Sequence, residues 1–180
     1  MMSEEENIGD RPARLGRGMM IGGWVLGLLL LALMFNGLLE QQHNPNRSVS
    51  SVTTAEGVRE VVLQRNRGGH YLANGSISGQ VVEFMLDTGA SDVSVPDTVA
   101  RRLGLKRGMP QVYSTANGSI TAYQTRLPSL SLGDIELRDV RASINPHMDD
   151  DTILLGMSFL KHLEFTQRGD TLIIRQYLQQ

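Results

Sequence analysis

The chain has 180 residues, a formal net charge of -2 and no cysteine, and 41% of its residues are hydrophobic. The absence of cysteine excludes disulfides, thiolate metal sites and a cysteine nucleophile. From Val58 onward the chain carries 13 basic and 13 acidic residues. That balance argues against a nucleic-acid partner, because a nucleic-acid surface needs clustered basic charge.

The N-terminal part predicts a polar tail, residues 1–18, followed by a transmembrane anchor, residues 19–39. The anchor is a run of 21 residues without a charge, and a helix of that length crosses a hydrocarbon core of about 30 Å. A buried globular helix is one alternative, but such helices rarely stay apolar on every face. A cleavable signal peptide is the other, but no small-residue cleavage site follows Leu39.

The basic residues around this run predict its orientation. Arg11, Arg14 and Arg17 precede it, whereas only Arg47 follows closely behind. The positive-inside rule then places the N-terminus in the cytoplasm and the rest of the chain outside the cell (inner) membrane, in the periplasm or its equivalent.

Residues 40–57 are rich in Gln, Asn, Ser and Thr and contain few apolar side chains. This composition predicts a flexible linker with a reach of roughly 20–25 Å. Residues 58–180 then form the globular domain.

The domain alternates short apolar runs with turn signals, which is typical of a small β-barrel-like fold. One or two short helices are predicted, over Asp97–Leu103 and Met157–Leu163. The strongest hairpin signal is Asn117-Gly118, because both residues tolerate positive φ. The predicted strands are Val58–Gln64, His70–Ile77, Gln80–Leu86, Val93–Pro96, Pro110–Thr115, Ser119–Leu127, Leu130–Leu132, Ile135–Ala142, Ile153–Leu155 and Leu172–Arg175.

One stretch carries the chemistry. Phe84-Met85-Leu86 runs directly into Asp87-Thr88-Gly89-Ala90, so a buried strand would deliver a carboxylate onto a tight turn. The Asn117-Gly118 hairpin and the apolar run Ile153–Leu155 with Gly156 follow in that order. From about Val58 to Tyr177 the chain resembles the retroviral-type (retropepsin-like) aspartic proteases, and with its anchor it is most similar to the bacterial membrane-tethered, single-lobe members.

The resemblance implies a small closed β-barrel and catalysis by two aspartates that share one proton. Like charge keeps both carboxylates from ionising, so one acts as a base toward water and the other as an acid. The sequence contains a single Asp-Thr-Gly, so the second carboxylate must come from a second copy of the chain, in a homodimer in which each protomer holds half a site.

The residues around Asp87 receive roles from the same resemblance. The amide of Gly89 bonds the carboxylate, and Thr88 bonds across the dimer. Ala90 lacks the hydroxyl that bilobal relatives carry, whereas Ser91 is structural. Leu155 and Gly156 pack behind the loop, where glycine permits a close crossing.

Asn117 and Gly118 would form the tip of a flap that closes over an extended peptide substrate. An ordinary hairpin is the alternative. The position of the pair between Asp87 and Gly156 favours the flap.

Other polar groups suggest no further site, and no metal or cofactor is expected. Asp149, Asp150 and Asp151 could hold a hard cation, but they are interpreted as a solvated acidic loop. The four histidines show no ligand spacing. Asp92 is interpreted as structural and Asp97 as a helix cap.

The sequence therefore predicts a membrane-anchored, homodimeric aspartic endopeptidase acting on proteins or peptides outside the cytoplasmic membrane. A non-catalytic dimerisation or peptide-binding module on the same fold is the first alternative, because a fold does not guarantee a function. A single-span structural adaptor with an accidental Asp-Thr-Gly is the second.

Overall fold

The computed structural model describes residues 11–55, 57–115 and 118–177, with side chains from residue 19 onward. The chain divides into two compact units, one up to Gln41 and the other from Gln42. Its helices are α1 (Arg11–His43), α2 (Asp97–Arg102) and α3 (Met157–Leu160). Its strands are β1 (Ser50–Thr53), β2 (Val58–Gln64), β3 (Leu72–Ile77), β4 (Gln80–Leu86), β5 (Val93–Pro96), β6 (Pro110–Thr115), β7 (Gly118–Leu132), β8 (Ile135–Asn145), β9 (Ile153–Leu155), β10 (Glu164–Arg168) and β11 (Thr171–Tyr177).

The N-terminal unit is built on α1, which continues without a break through the predicted anchor. Within Met19–His43, the most apolar window of this helix has a mean hydropathy of 2.0, and none of that window is buried. It is therefore long and apolar enough to cross a membrane, and the same properties also fit a signal sequence.

The domain is mainly β, and its larger sheet forms a near-closed ring, which confirms the predicted fold class. Seven strands follow the order β3-β4-β9-β5-β8-β7-β6. The ring closes because β3 also pairs with β7, at Ser76↔Ser131 and Ile77↔Leu130. Strand β6 pairs with β7 outside the ring and forms a hairpin with it.

A second sheet, β1-β2-β11-β10, is antiparallel throughout. In its centre β2 and β11 pair from Val58↔Tyr177 to Gln64↔Thr171. The side chains of β2 alternate so that Val61 and Leu63 are fully buried, as expected for a strand with one face against the core.

The core lies between the two sheets and inside the ring. It is made of aliphatic residues and two phenylalanines, Phe84 on β4 and Phe159 on α3, both fully buried. These contacts fix the end of β4, where Asp87 follows, against the end of β9.

Several element boundaries differ from the predicted ones. The strands predicted over Ser119–Leu127 and Leu130–Leu132 are one strand, β7, that continues through Pro128. Proline has no N–H to donate, and Pro128 is not paired with Asp139, although the residues on either side of it are paired with β8. Asp139 has a positive φ of 52°. The second predicted helix is shorter and ends at Leu160.

The segment predicted as a flexible linker holds ordered structure in its described part. Asn44 and Asn46 are buried, with 2% and 4% of their surface exposed. The Asn46 side chain bonds the Gln64 backbone as acceptor and donor, at 2.7 and 2.8 Å, and donates to Leu72 O at 2.6 Å. Strand β1 then pairs with β2. These backbone groups on β2 and β3 gain partners that a free linker could not supply.

Candidate active site

Asp87 lies immediately after β4, at the point where the chain leaves the ring sheet. Its amide donates to Leu155 O at 3.2 Å, which continues the parallel pairing of β4 with β9. The turn is closed by the amide of Ala90, which donates to Asp87 O at 3.2 Å. The carboxylate is half-buried, and the amide of Gly89 donates to its Oδ1 at 2.9 Å. The hydrogen bond to β9 before Asp87 and the tight turn after it thus hold this carboxylate at the end of β4.

The segment after β9 packs directly behind this turn. A Cβ at Gly156 would lie 2.2 Å from Asp92 O and 2.6 Å from Ala90 O, so only glycine fits this crossing. The amide of Met157 donates to Ala90 O at 2.8 Å, and the amide of Ser158 donates to Ser91 O at 3.0 Å. Leu155 itself is fully buried.

Ser158 adds a contact that sequence reasoning missed. Its hydroxyl accepts from the amide of Val93 at 3.0 Å and donates to Arg141 O at 2.7 Å. One side chain on α3 therefore joins β5 to β8 behind the turn. An isolated serine in a helix gives no sequence signal for such a role.

Thr88 and Ala90 complete the turn. Thr88 is exposed, and within the described part of the chain its hydroxyl has no hydrogen-bond partner. It lines a shallow recess of about 220 Å³ together with Ala90 and Lys161. Ala90 is half-buried, and its methyl group offers no donor to the carboxylate.

A cleft of about 410 Å³ opens in front of Asp87, between the turn and the β6–β7 hairpin. The turn contributes Asp87, Gly89 and Ala90 to its wall, and the hairpin contributes side chains from both strands. These hairpin residues are Tyr113, Ser114, Thr115, Ile120 and Ala122.

The residues predicted to form a flap belong to a hairpin whose two described strands line the cleft. Its strands pair as far as Thr115↔Gly118, and Gly118 has φ 113° with no atom near its missing Cβ. Asn117, the other residue predicted at the tip, lies outside the described residues.

The buried carboxylate of Asp92 links the turn to β8 through the exposed side chain of Arg141, and to the hairpin through Tyr113. Asp92 is 6% exposed, accepts from Arg141 Nε at 2.6 Å and accepts from the Tyr113 hydroxyl at 2.9 Å. Burial and the hydrogen bond to Asp92 raise the pKa of Tyr113, so the phenol is a protonated donor at neutral pH. Asp92 is thus structural, as predicted from the sequence, but its two partners were not foreseen.

The other acidic and histidine side chains that the structure describes do not line this cleft. Asp151 accepts from the Thr98 hydroxyl at 2.9 Å and lies 3.5 Å from Arg102. Asp97 is the first residue of α2 and not its cap, which is Pro96, so the prediction of a capping role was wrong. Its side chain instead pairs with Arg107, whose hydrogen bond lowers the pKa of the Asp97 carboxyl. Among the described residues, no group of three His, Asp or Glu side chains is arranged to hold a metal ion.

Asp87 has no carboxylate partner within the described part of one chain. The only hydrogen bond to its side chain there comes from Gly89, and Asp92 is engaged by Arg141 and Tyr113. One protomer therefore presents a single carboxylate at the mouth of its cleft.

Comparison with known proteins points to one family. Residues 73–162 match the family described as "gag-polyprotein putative aspartyl protease". An uncharacterized protein from the cobV 5′ region of a Sinorhizobium species is 31% identical over 90% of this chain and 75% of its own length. An uncharacterized protein of Rickettsia prowazekii (strain Madrid E) is 31% identical over 67% of this chain and 52% of its own length.

A solved structure is also similar to this chain. The crystal structure of a retropepsin-like aspartic protease from Rickettsia conorii is 32% identical, with a TM-score of 0.57, and the alignment covers 72% of this chain and 96% of that one. The family match spans the Asp87 turn, the β6–β7 hairpin and the Gly156 crossing. The chain therefore belongs to the retropepsin-like aspartic protease family.

Proposed function

We propose that this protein is a membrane-anchored aspartic endopeptidase whose active site forms when two copies of the chain bring their Asp87 residues together. The observation that carries the proposal is the geometry of one protomer. A half-buried carboxylate, held by the amide of Gly89, faces a cleft beneath the β6–β7 hairpin, and among the described residues of one protomer no second carboxylate lies beside it.

The chemistry follows from two such carboxylates close together. They share one proton, because the second ionisation is opposed by the first charge. The ionised Asp87 takes a proton from a water molecule, and the protonated Asp87 of the other copy donates a hydrogen bond to the scissile carbonyl. Water attacks the carbonyl carbon directly, so no covalent intermediate with the protein forms.

The surrounding residues have matching roles in this proposal. Gly89 orients the carboxylate, and Leu155 with Gly156 fixes the turn from behind. Thr88, exposed and unpartnered in the described part of one protomer, is placed to bond across the dimer. Asn117 and Gly118 form the flap tip over an extended peptide, which binds by backbone hydrogen bonds.

The anchor sets where this chemistry occurs. Helix α1 holds the chain in the inner membrane with its N-terminus in the cytoplasm, and the domain lies on the extracytoplasmic side. Two domains confined to one membrane surface also meet at a high effective concentration, which favours the dimer.

Mixing wild-type chain with Asp87→Asn tests the shared site. The two full-length chains are co-expressed, purified in detergent micelles and assayed for cleavage of a denatured protein. With equal amounts, about a quarter of the dimers carry two intact Asp87 residues, so cleavage is expected to fall to about a quarter. A fall to one half would show that each chain works alone.

The alternative, a non-catalytic dimerisation or peptide-binding module, gives a different result in the same assay. Wild type and Asp87→Asn would then leave the denatured protein equally intact while both dimerise. Retention of Asp87 together with an open cleft favours turnover.

A further inference from the structure

A second cleft adjoins the one that holds Asp87, and its wall is rich in basic side chains. Its volume is about 910 Å³. It shares Ser91, Asp92, Tyr113 and Ser114 with the Asp87 cleft, so the two spaces lie on either side of the same turn and hairpin strand. We name it the basic pocket after four cations in its wall, Lys106, Arg107, Arg126 and Arg141.

The acidic side chains near the basic pocket do not cancel this charge. Asp92 is the only acidic residue in its wall, and it is 6% exposed and already bound by Arg141 and Tyr113. Arg107 and Arg126 pair with Asp97 and Asp139, which lie outside the wall. The four cations therefore face three carboxylates, those of Asp92, Asp97 and Asp139, which leaves one excess positive charge.

Lys106 supplies that excess. Its backbone carbonyl accepts from the Thr125 hydroxyl at 2.9 Å, which fixes the loop beside β7. Within the described part of the chain, its ammonium group has neither an ion-pair nor a hydrogen-bond partner. The guanidinium of the neighbouring Arg107 lies over the Tyr123 ring, 4.8 Å from its centroid. Both contacts hold the loop that carries Lys106 and Arg107 against β7.

The exposed pair of Arg126 with Asp139 can also yield to a ligand. Both side chains are mostly exposed, at 62% and 73%, and such surface pairs contribute little stability. A carboxylate entering the basic pocket would therefore meet one unpaired ammonium group and one guanidinium that exchanges partners at small cost.

We propose that the basic pocket is a specificity subsite that binds an acidic side chain of the peptide substrate, with Lys106 as its main contact. The inference rests on the proposed protease function, because it specifies which peptides that active site prefers as substrates. An extended peptide advances about 3.3 Å per residue, so a peptide lying past Asp87 reaches the shared wall at Tyr113 within a few residues. In a two-fold dimer the pocket occurs twice, so an acidic residue on either side of the scissile bond would be favoured.

Positional peptide libraries test this proposal. Peptides of about ten residues, long enough to span the extended cleft, carry Glu or Gln at one fixed position, and the other positions are randomised. The full-length protein in detergent micelles is expected to cleave the Glu library about three- to tenfold faster at one or two positions, since charge-assisted contacts exceed neutral ones. The preference should shrink with added salt, because the contact is open to solvent.

Three variants separate the pocket from general charge effects. Lys106→Gln is expected to abolish the preference for Glu over Gln, and Lys106→Glu to reverse it toward a Lys-containing library. Arg168→Gln removes an equal charge from β10, outside the basic pocket, and is expected to keep the preference. Equal treatment of Glu and Gln at every position by the wild-type protein would overturn the proposal.

A binding arm distinguishes this proposal from the protease function itself. The same fluorescent libraries are titrated against full-length Asp87→Asn, and the Glu library is expected to bind about three- to tenfold tighter in a Lys106-dependent way. If the Glu library binds in a Lys106-dependent way but no Asp87-dependent cleavage is found, the protease proposal is overturned and the acidic-peptide site is kept. Cleavage without any charge preference, in either arm, would overturn the subsite alone.

Discussion

The absence of a side chain at Gly156 allows the segment after β9 to pass close behind the Asp87 turn. A Cβ there would meet two backbone oxygens, of Asp92 and Ala90, and neither can move without displacing the turn. We expect Gly156→Ala to lower the free energy of unfolding by roughly 3 kcal/mol and to remove cleavage even where the chain is folded. Gly79→Ala is the control, because a Cβ at Gly79 meets open space, so alanine there is opposed only by the φ of 79° and not by a clash. Its expected loss is only about 1 kcal/mol, and equal losses in urea unfolding would contradict the steric explanation.

The Tyr113 hydroxyl is the second residue-scale contact that can be tested. Its hydrogen bond to the buried Asp92 is expected to stabilise the domain by roughly 1–2 kcal/mol relative to Tyr113→Phe. Burial and this bond raise the pKa of Tyr113, so the folded chain binds the phenolic proton more tightly than the unfolded chain does. The contribution is therefore complete below the ordinary tyrosine pKa of about 10 and is lost as the pH rises through the raised value.

Urea unfolding of wild type and Tyr113→Phe at neutral and alkaline pH measures this contribution. The difference between the two proteins should be constant through neutral pH and shrink above about pH 10. A difference that is absent at neutral pH would mean that the bond contributes nothing.

The sequence predicted the local backbone geometry around Asp87, Gly89 and Gly156, while their roles in catalysis stay predictions. Asp87 and Gly89 sit on one turn, and Gly156 follows an apolar run, so short patterns identify them. The link of Asp92 to Arg141 and Tyr113 joins residues 49 and 21 positions apart. Such partners depend on the register of β6, β7 and β8, which no local pattern fixes.

At the scale of the element, the β6–β7 hairpin separates two interpretations, flap and scaffold. Gly118 has φ 113°, so Gly118→Val strains the backbone and adds branched bulk at the predicted tip. We expect a stability loss of roughly 1–2 kcal/mol and a much larger fall in cleavage, because the bulk obstructs the approach to the peptide.

Gly79→Val is the matched control for the hairpin, since Gly79 occupies the β3–β4 turn at φ 79° in open space. It should show a similar shift in thermal melting and little loss of peptide cleavage. If Gly118→Val cleaves as well as Gly79→Val at a temperature where both are folded, the β6–β7 hairpin is scaffold.

Most strands could be predicted because they alternate or run apolar between turn residues. Strands β2, β4, β5, β6 and β9 have the predicted bounds. Strands β1 and β10 were missed because nearly all their residues are exposed, so no apolar pattern reveals them. The order of Asn44 and Asn46 was missed for a related reason, since polar side chains predict a linker unless their backbone partners are known.

The segment before β2 therefore gives a prediction about where the folded domain begins. Removal of residues 1–41 should leave a folded domain. Removal of residues 1–57 deletes β1 and the Asn46 side chain, and leaves Gln64 N and Leu72 O without their partners. We expect the shorter protein to lose roughly 3 kcal/mol or more of unfolding free energy. Equal melting temperatures for the two truncated proteins would show that residues 42–57 are a tether only.

At the scale of the whole molecule, the proposed membrane anchor fits the proposed shared active site. In that proposal each chain needs the Asp87 of a second copy, and confinement to a membrane surface raises the frequency of the encounter. The affinity between two domains can therefore be lower when both are anchored in a membrane than when they diffuse freely in solution.

The orientation of α1 decides which proteins such a dimer can reach. Arg11, Arg14 and Arg17 lie before the apolar segment, and only Arg47 lies shortly after it, so the positive-inside rule places the domain outside the cytoplasm. A reporter active only outside the cytoplasm, fused after Gln180, is expected to be active in bacterial cells. Replacing the three N-terminal arginines by glutamine should reduce that activity, because the charge difference that orients the helix is then removed. A fusion that is silent in this reporter and active in a cytoplasmic one would reverse the proposed topology, and would place the substrates inside the cell.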